Sequence, residues 1–328
     1  MDRVFAKGYT YGWCAVAGDY QTQEAQDSLM RLKEDGVDYL CLAFYAVQDT
    51  FSSTNIYYEY GRTPTDEDIT FAVNKAHELG MKVCLKPVVD CKDGTWRAYI
   101  SFPKGGYQWK IWFKSYTRFM LHYAKLAQKL GCEMLCTGCE MSGMNLQSEY
   151  CRDMIAEVRK VYHGLLMHNV NHSKEMEADW LDCIDIVGIS AYYPLTDDGN
   201  YSRQRMLEKW NEVKKIVEDT YHKYGKPVMF AEIGMRSEKN CSAYPWDFKH
   251  KRDMPADQKE QADFYDTALE TFWNVPWFSG FFWWDWPAIL YDIDKAKDNK
   301  HFCVYGKEAE KVLKKWYTGD SQKINESF

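Results

Sequence analysis

Two short apolar runs in this chain end in the same way. Leu135-Cys136-Thr137-Gly138-Cys139 runs into Glu140, and Val228-Met229-Phe230-Ala231 runs into Glu232. Such a run reads as a buried strand, so each glutamate emerges where a strand gives way to a loop. One carboxylate there is ordinary: it is solvated, or it caps a helix. Two on different strands can face each other across a pocket, and their chemistry is then joint. Mutual repulsion raises the pKa of one, which remains a proton donor at neutral pH, while the other stays ionised as a nucleophile. Carboxyl groups about 5–5.5 Å apart in those two states suit cleavage of a glycosidic bond with retention of configuration.

Holding such a pair face to face needs a closed frame. The chain alternates short apolar runs with long amphipathic ones, the pattern of β/α units and a parallel sheet. Strands are predicted at Gly8–Cys14, Val37–Ala43, Met81–Pro87, Cys132–Gly138, Leu165–Val170, Ile184–Ala191, Pro227–Ala231 and Trp277–Trp284. Helices are predicted at Gln21–Asp35, Asp66–Leu79, Tyr107–Leu130, Gln147–Tyr162, Lys174–Leu181, Ser202–Tyr224, Gln258–Trp273 and Tyr305–Tyr317. Gly36, Gly80, Gly131, Gly164 and Gly225 mark short helix-to-strand turns. The strand-to-helix loops are long: 44–65, 88–106, 192–201, 233–257 and 285–304. This asymmetry predicts an α/β fold, a (β/α)8 TIM barrel with its site on the C-terminal face. No linker interrupts residues 1–328, so a single domain is expected. Glu140 and Glu232 follow the fourth and seventh strands, 92 residues apart, or about three β/α units of roughly 30 residues each.

Composition narrows the partners. Aromatic residues make up 16% of the chain, with 13 Trp and 24 Tyr, more than a core alone explains and suited to stacking apolar faces while bonding polar edges. A net charge of -7 without a Lys/Arg cluster argues against nucleic acid and anionic membrane surfaces. The opening Met1-Asp2-Arg3-Val4-Phe5-Ala6-Lys7 carries no apolar leader, and no run is long enough to span a membrane; a cytosolic location is expected. Eleven Cys, several inside predicted elements (Cys41, Cys84, Cys132, Cys151), read as small buried hydrophobes in a reducing compartment.

Trp283-Trp284-Asp285-Trp286 ends the eighth strand. Neighbours on a strand point opposite ways, so one of Trp283 and Trp284 faces the lumen. Trp284 is taken as an apolar floor for a sugar ring, and Trp13 as a similar one. Trp96 and Arg97 in the third loop are candidates to hold a ring face and hydroxyls, Arg97 equally a loop-fixing ion pair. Tyr244, Trp246 and Phe248 either line an outer subsite or, as preferred here, pack the seventh loop onto the barrel. His168 and His172 share a face only on a helix, and this stretch leaves a strand. Cys136-x-x-Cys139 has no second pair at zinc spacing, and neither Gly61-Arg62 nor Gly105-Gly106 makes a phosphate loop. No metal and no cofactor are expected.

Beyond these readings, the chain resembles glycoside hydrolase family 113, the β-1,4-mannanases of the TIM-barrel retaining clan. The resemblance rests on Leu85-Lys86-Pro87 with Asp90 and Asp93-Gly94-Thr95-Trp96-Arg97, on Gly138-Cys139-Glu140, and on Ala191-Tyr192-Tyr193-Pro194-Leu195. It continues through Lys226–Gly234, Phe272-Trp273 to Trp277-Phe278 with Trp283-Trp284, and Gly306-Lys307 to Leu313. It implies a retaining hydrolase of β-1,4-mannosidic bonds in mannan fragments or manno-oligosaccharides, working without a cofactor. By the same resemblance Glu140 is the acid/base, Glu232 the nucleophile, and Asn171 and Tyr193 match the Asn after strand five and the Tyr after strand six. Four residues depart from the pattern: Cys139 for Thr, Val88 for His, Asp285 for Lys and His172 for Trp. They bear on the sugar, so a β-mannosidase or a xylan- or glucan-oligosaccharide hydrolase of the clan stays open, as does a sugar-binding barrel without catalysis.

Overall fold

The computed structural model describes residues 4–197, 199–248 and 254–319. Residues 1–3 of the opening segment, residue 198, residues 249–253 of the seventh loop and residues 320–328 lie outside the described residues. Eight strands close a parallel barrel in chain order: β1 (Ala6–Tyr11), β2 (Tyr39–Gln48), β3 (Lys82–Cys91), β4 (Met134–Cys139), β5 (Leu165–Asn171), β6 (Ile186–Ser190), β7 (Val228–Ile233) and β8 (Phe278–Trp286). The helices are α1 (Gln23–Glu34), α2 (Asp66–Glu78), α3 (Tyr107–Leu130), the single turn α4 (Ser142–Asn145), α5 (Ser148–Arg159), α6 (Arg203–Tyr224), α7 (Gln258–Phe272) and α8 (Glu308–Thr318).

Every predicted strand is present. β2 and β3 run further than expected, because they pair residue for residue from Tyr39–Lys82 to Gln48–Cys91. Helix starts follow local chemistry. Thr65 and Asp68 form a reciprocal capping box on α2, and the side chains of Thr22, Ser202 and Asp257 cap α1, α6 and α7.

One predicted helix does not form. Between β5 and β6 the chain makes turns and a 3-10 turn at Leu181–Cys183 in place of a helix over Lys174–Leu181. The segment contains good helix formers, but its side chains are claimed elsewhere. The Glu175 carboxylate accepts from the Ser173 N–H at 2.9 Å and from the Tyr193 hydroxyl. The Trp180 indole donates to the Asn145 carbonyl at 3.1 Å, and Ala178, Trp180 and Leu181 are wholly buried. Tertiary anchoring outweighs propensity here.

Two layers of core result. Inside the barrel, Cys41, Cys84, Met134, Cys136, Met167, Met229, Ala231 and Phe282 fill the lumen below the C-terminal mouth. Outside it, aromatic rings such as Trp112, Tyr116, Trp210 and Phe230 pack between sheet and helices. Nine thiols are buried, Cys183 is half-buried, and Cys14, just past β1, is exposed.

Candidate active site

Strict alternation along β7 would send Met229 and Ala231 into the lumen and Glu232 out towards the helices. The pairing with β6 changes that parity. Ile189 pairs with Phe230 but Ser190 pairs with Glu232, so β7 carries one extra residue just before the carboxylate. β4 does the same against β5: Cys136 pairs with Met167, then Cys139 with Asn169. The irregularity passes through Gly138, where a Cβ would lie 2.5 Å from the His168 ring. Glu140 follows at φ 57°, an uncommon conformation for a side-chain-bearing residue, with its N–H on the Asn169 carbonyl at 2.9 Å. A bulge thus re-aims the end of each carboxylate-bearing strand.

The two carboxylates meet. One oxygen of Glu140, one of Glu232 and the Cys139 sulfur all lie within 4.8 Å of one another. That separation sits with the roughly 5–5.5 Å of retaining pairs and well short of the ~6.5–9.5 Å that admits a water between the groups.

Their surroundings differ. Glu232 Oε1 accepts from Lys86 Nζ at 2.5 Å, from the Cys139 thiol at 3.1 Å and from Asn169 Nδ2 at 3.5 Å. Ser190 donates to Asn169 Oδ1 at 3.3 Å, which turns the amide nitrogen towards the carboxylate. Among the described residues Glu232 Oε2 receives only the Tyr192 hydroxyl, at 3.3 Å. Burial pushes the Glu232 pKa up, but the charges of Lys86 and Arg97 and the donated hydrogen bonds outweigh it and bring it below the usual value. Glu140 Oε2 accepts from the Trp96 indole at 3.2 Å and from Arg97 at 3.5 Å. Its pKa is raised, by burial first and then by the charge of Glu232. The surroundings thus favour the proton on Glu140 and the charge on Glu232, a division suited to protonating a leaving oxygen and attacking the carbon it leaves.

Both carboxylates open into a cleft of about 1240 Å3 that also takes in Trp13, Trp96, Arg97, Asn171, Tyr192 and Trp284. Trp13 packs against Trp284 and Tyr45, with ring centroids 5.3 and 5.2 Å away, and the Arg97 guanidinium lies over the Trp13 ring. Asn171 Nδ2 donates to the Glu140 carbonyl and to Ser142 Oγ, both at 3.1 Å. Of the two tryptophans on β8, Trp283 is core, stacked on Tyr265 at 3.9 Å, and Trp284 faces the cleft. Arg97 combines both of its expected uses, since its Nε also lies 3.3 Å from Asp90.

Tyr193 departs from expectation. It is buried with its hydroxyl on Glu175, and the neighbouring Tyr192 reaches Glu232 instead. β6 ends at Ser190, so strand alternation does not carry on to these residues. Tyr244, Trp246 and Phe248 also depart from expectation, because they line the cleft. His168 is buried between Thr137 and Asn145, its pKa lowered by burial to about 3, whereas His172 lies in the cleft.

A family model described as Glycoside Hydrolase Family 113 matches residues 9–307. The chain belongs to glycoside hydrolase family 113. Among solved structures it is similar to the family-113 β-mannanase AaManA from Alicyclobacillus acidocaldarius in complex with ManMIm. That match has 35% identity over 97% of this chain and 98% of that one, with a TM-score of 0.89. A family-113 β-1,4-mannanase is 34% identical over 96% of this chain and 99% of that one, with a TM-score of 0.87. A β-glucuronidase from Ruminococcus gnavus, 13% identical with a TM-score of 0.63 over 96% of this chain and 50% of that one, shares the fold. No curated protein sequence matches the chain.

In this family-113 barrel the nearest neighbours of Glu232 have no individual tie to it in the sequence: Lys86 enters only within a family motif, and Cys139 only as a departure from one. Lys86 had a signal, a cation between Leu85 and Pro87 in the buried stretch of β3. Nothing linked Cys139 or Asn169 to Glu232, because the bulge that turns Cys139 inward leaves no mark in the hydrophobic pattern.

Proposed function

We propose that this family-113 chain is a retaining β-1,4-mannanase that cleaves manno-oligosaccharides or mannan fragments by double displacement. The observation that carries the reading is the carboxylate pair, close together and with pKa values moved in opposite directions. Glu140 protonates the glycosidic oxygen as Glu232 attacks the anomeric carbon and forms a glycosyl ester; Glu140 then takes a proton from the water that hydrolyses it. Oε1 of Glu232 is occupied by Lys86 and Cys139, so Oε2 is the attacking oxygen. Asn171 fixes the Glu140 backbone, Trp284 and Trp13 floor the sugar, and Trp96 and Arg97 steady the acid. The mannan assignment is supported by family-113 relatives whose descriptions name them β-mannanases.

Incubation with mannotetraose, xylotetraose and cellotetraose tests both parts. Products are expected from mannotetraose, reduced about 10²–10⁴-fold in Glu140→Gln and further in Glu232→Gln. Cleavage of xylotetraose or cellotetraose alone would replace the sugar. Binding without turnover in the unaltered protein would replace hydrolysis with a carbohydrate-binding role.

A further inference from the structure

Five carboxylates line the cleft: Asp90, Glu140, Glu232, Asp247 and Asp285. Four have a cation close by. Arg97 lies 3.3 Å from Asp90 and 3.5 Å from Glu140, Lys86 lies 2.5 Å from Glu232, and Arg236 lies 3.5 Å from Asp247. Asp285 differs. Among the described residues no cation lies within 4.0 Å of it, and no other residue donates a hydrogen bond to its side chain, which has only its own backbone N–H.

The surroundings explain why none forms. The cation whose charge acts on Asp285 is Lys307, and its ammonium protons are all engaged: Ser237 Oγ at 2.9 Å, Asn299 Oδ1 at 2.9 Å and the His301 carbonyl at 2.8 Å. The other titratable groups that feel Asp285 are Glu232 on β7, Tyr192 beyond β6, Tyr9 on β1, Cys14 beyond it, Tyr265 on α7 and Cys303 in the loop before α8. None of them bonds it. A half-buried carboxylate with open lone pairs is unfavourable unless something polar fills them. Asp285 directly follows Trp284, and both side chains face the cleft. A pyranose lying on an indole presents its hydroxyls at the ring edge, and a carboxylate can accept from two adjacent ones.

We infer that Asp285 is a substrate-binding carboxylate, accepting hydrogen bonds from two neighbouring hydroxyls of the neutral sugar ring seated on Trp284 and excluding acidic sugars there. The inference rests on the oligosaccharide hydrolase reading and adds a specificity element to it. Burial, with Glu232 adding to it, raises the Asp285 pKa to about 6, against its own backbone N–H and Lys307. The anionic acceptor is therefore present above about pH 6 and lost below it. Glu232, whose pKa is lowered, stays ionised through that range.

The test compares Asp285→Asn, and Asp285→Ser as a second variant, with the unaltered protein on mannotriose. KM is expected to rise about tenfold or more, as for loss of a hydrogen bond to a charged group, with kcat changed less. Binding to Glu140→Gln protein, followed by calorimetry between pH 7.5 and 5, is expected to weaken as pH falls. Adding Asp285→Asn should flatten that dependence. A mannuronate trisaccharide should be rejected by the unaltered protein and admitted by Asp285→Asn. If mannotriose is cleaved but neither KM nor the pH dependence of binding moves in the variants, this inference alone is overturned. If only xylotriose or cellotriose is cleaved, the same comparison is made on that sugar. If no oligosaccharide is bound or cleaved, the functional reading falls and the inference with it.

Discussion

Glu140 and Glu232 are the same residue type, 8% and 5% exposed, each just past a bulge at the end of a strand, yet their pKa values move in opposite directions. Burial pushes both up. What separates them is the cation. Glu232 has the ammonium of Lys86, wholly buried, at 2.5 Å, while Glu140 has one nitrogen of an Arg97 that also serves Asp90. The division of labour in the pair is thus set from β3, by one lysine facing into the lumen.

That comparison can be broken outright. Lys86→Met leaves Glu232 buried without its counter-charge, and removing one partner of such a pair typically costs about 3–5 kcal/mol, measurable by urea unfolding. Because the folded Glu232 pKa is lowered, its contribution to stability is present above the unfolded value and lost as pH falls through the folded one. In Lys86→Met this acid-side loss should vanish, and the acid limb of kcat/KM should move to higher pH, towards the limb governed by Glu140.

A paired substitution sharpens the contrast next. Tyr193→Phe removes a buried hydrogen bond to a carboxylate and should lower stability by about 1.5–3 kcal/mol with kcat/KM nearly unchanged. Tyr192→Phe removes the donor on Glu232 Oε2 and should lower kcat/KM about tenfold with a smaller change in stability. Equal effects on activity from the two would contradict the placement of only one of them at the carboxylate. The smallest effect is expected from Arg97→Met. Arg97 lowers the pKa of both Glu140 and Glu232, so its loss should carry both limbs of the pH–rate profile up and change the gap between them less than Lys86→Met does.

The barrel was legible in the sequence because its strands are continuous apolar runs and its helices are long and periodic. Both carboxylates were legible because a charge closing an apolar run is conspicuous. What failed was parity and propensity. Lys174–Leu181 reads as a helix until Trp180 and Glu175 are bound to other parts of the chain. Tyr192 and Tyr193 exchange places because neither lies in β6. Tyr244, Trp246 and Phe248 line the cleft through the path of a long loop, which follows from no local pattern. Lys86 is the instructive omission: a lysine in a buried strand requires a partner, and a carboxylate across the barrel was its natural one.

The distribution of cysteine gives the chain a built-in reporter of its own opening. Cys14 alone stands exposed in the folded protein, so it is the thiol a reagent reaches first. Cys41, Cys84, Cys136 and Cys139 sit on β2, β3 and β4, and Cys151 on α5. A thiol reagent reaches them only when those elements part. The order in which their masses shift under pulsed alkylation would therefore record which staves of the barrel loosen first, with no label or probe engineered into the chain.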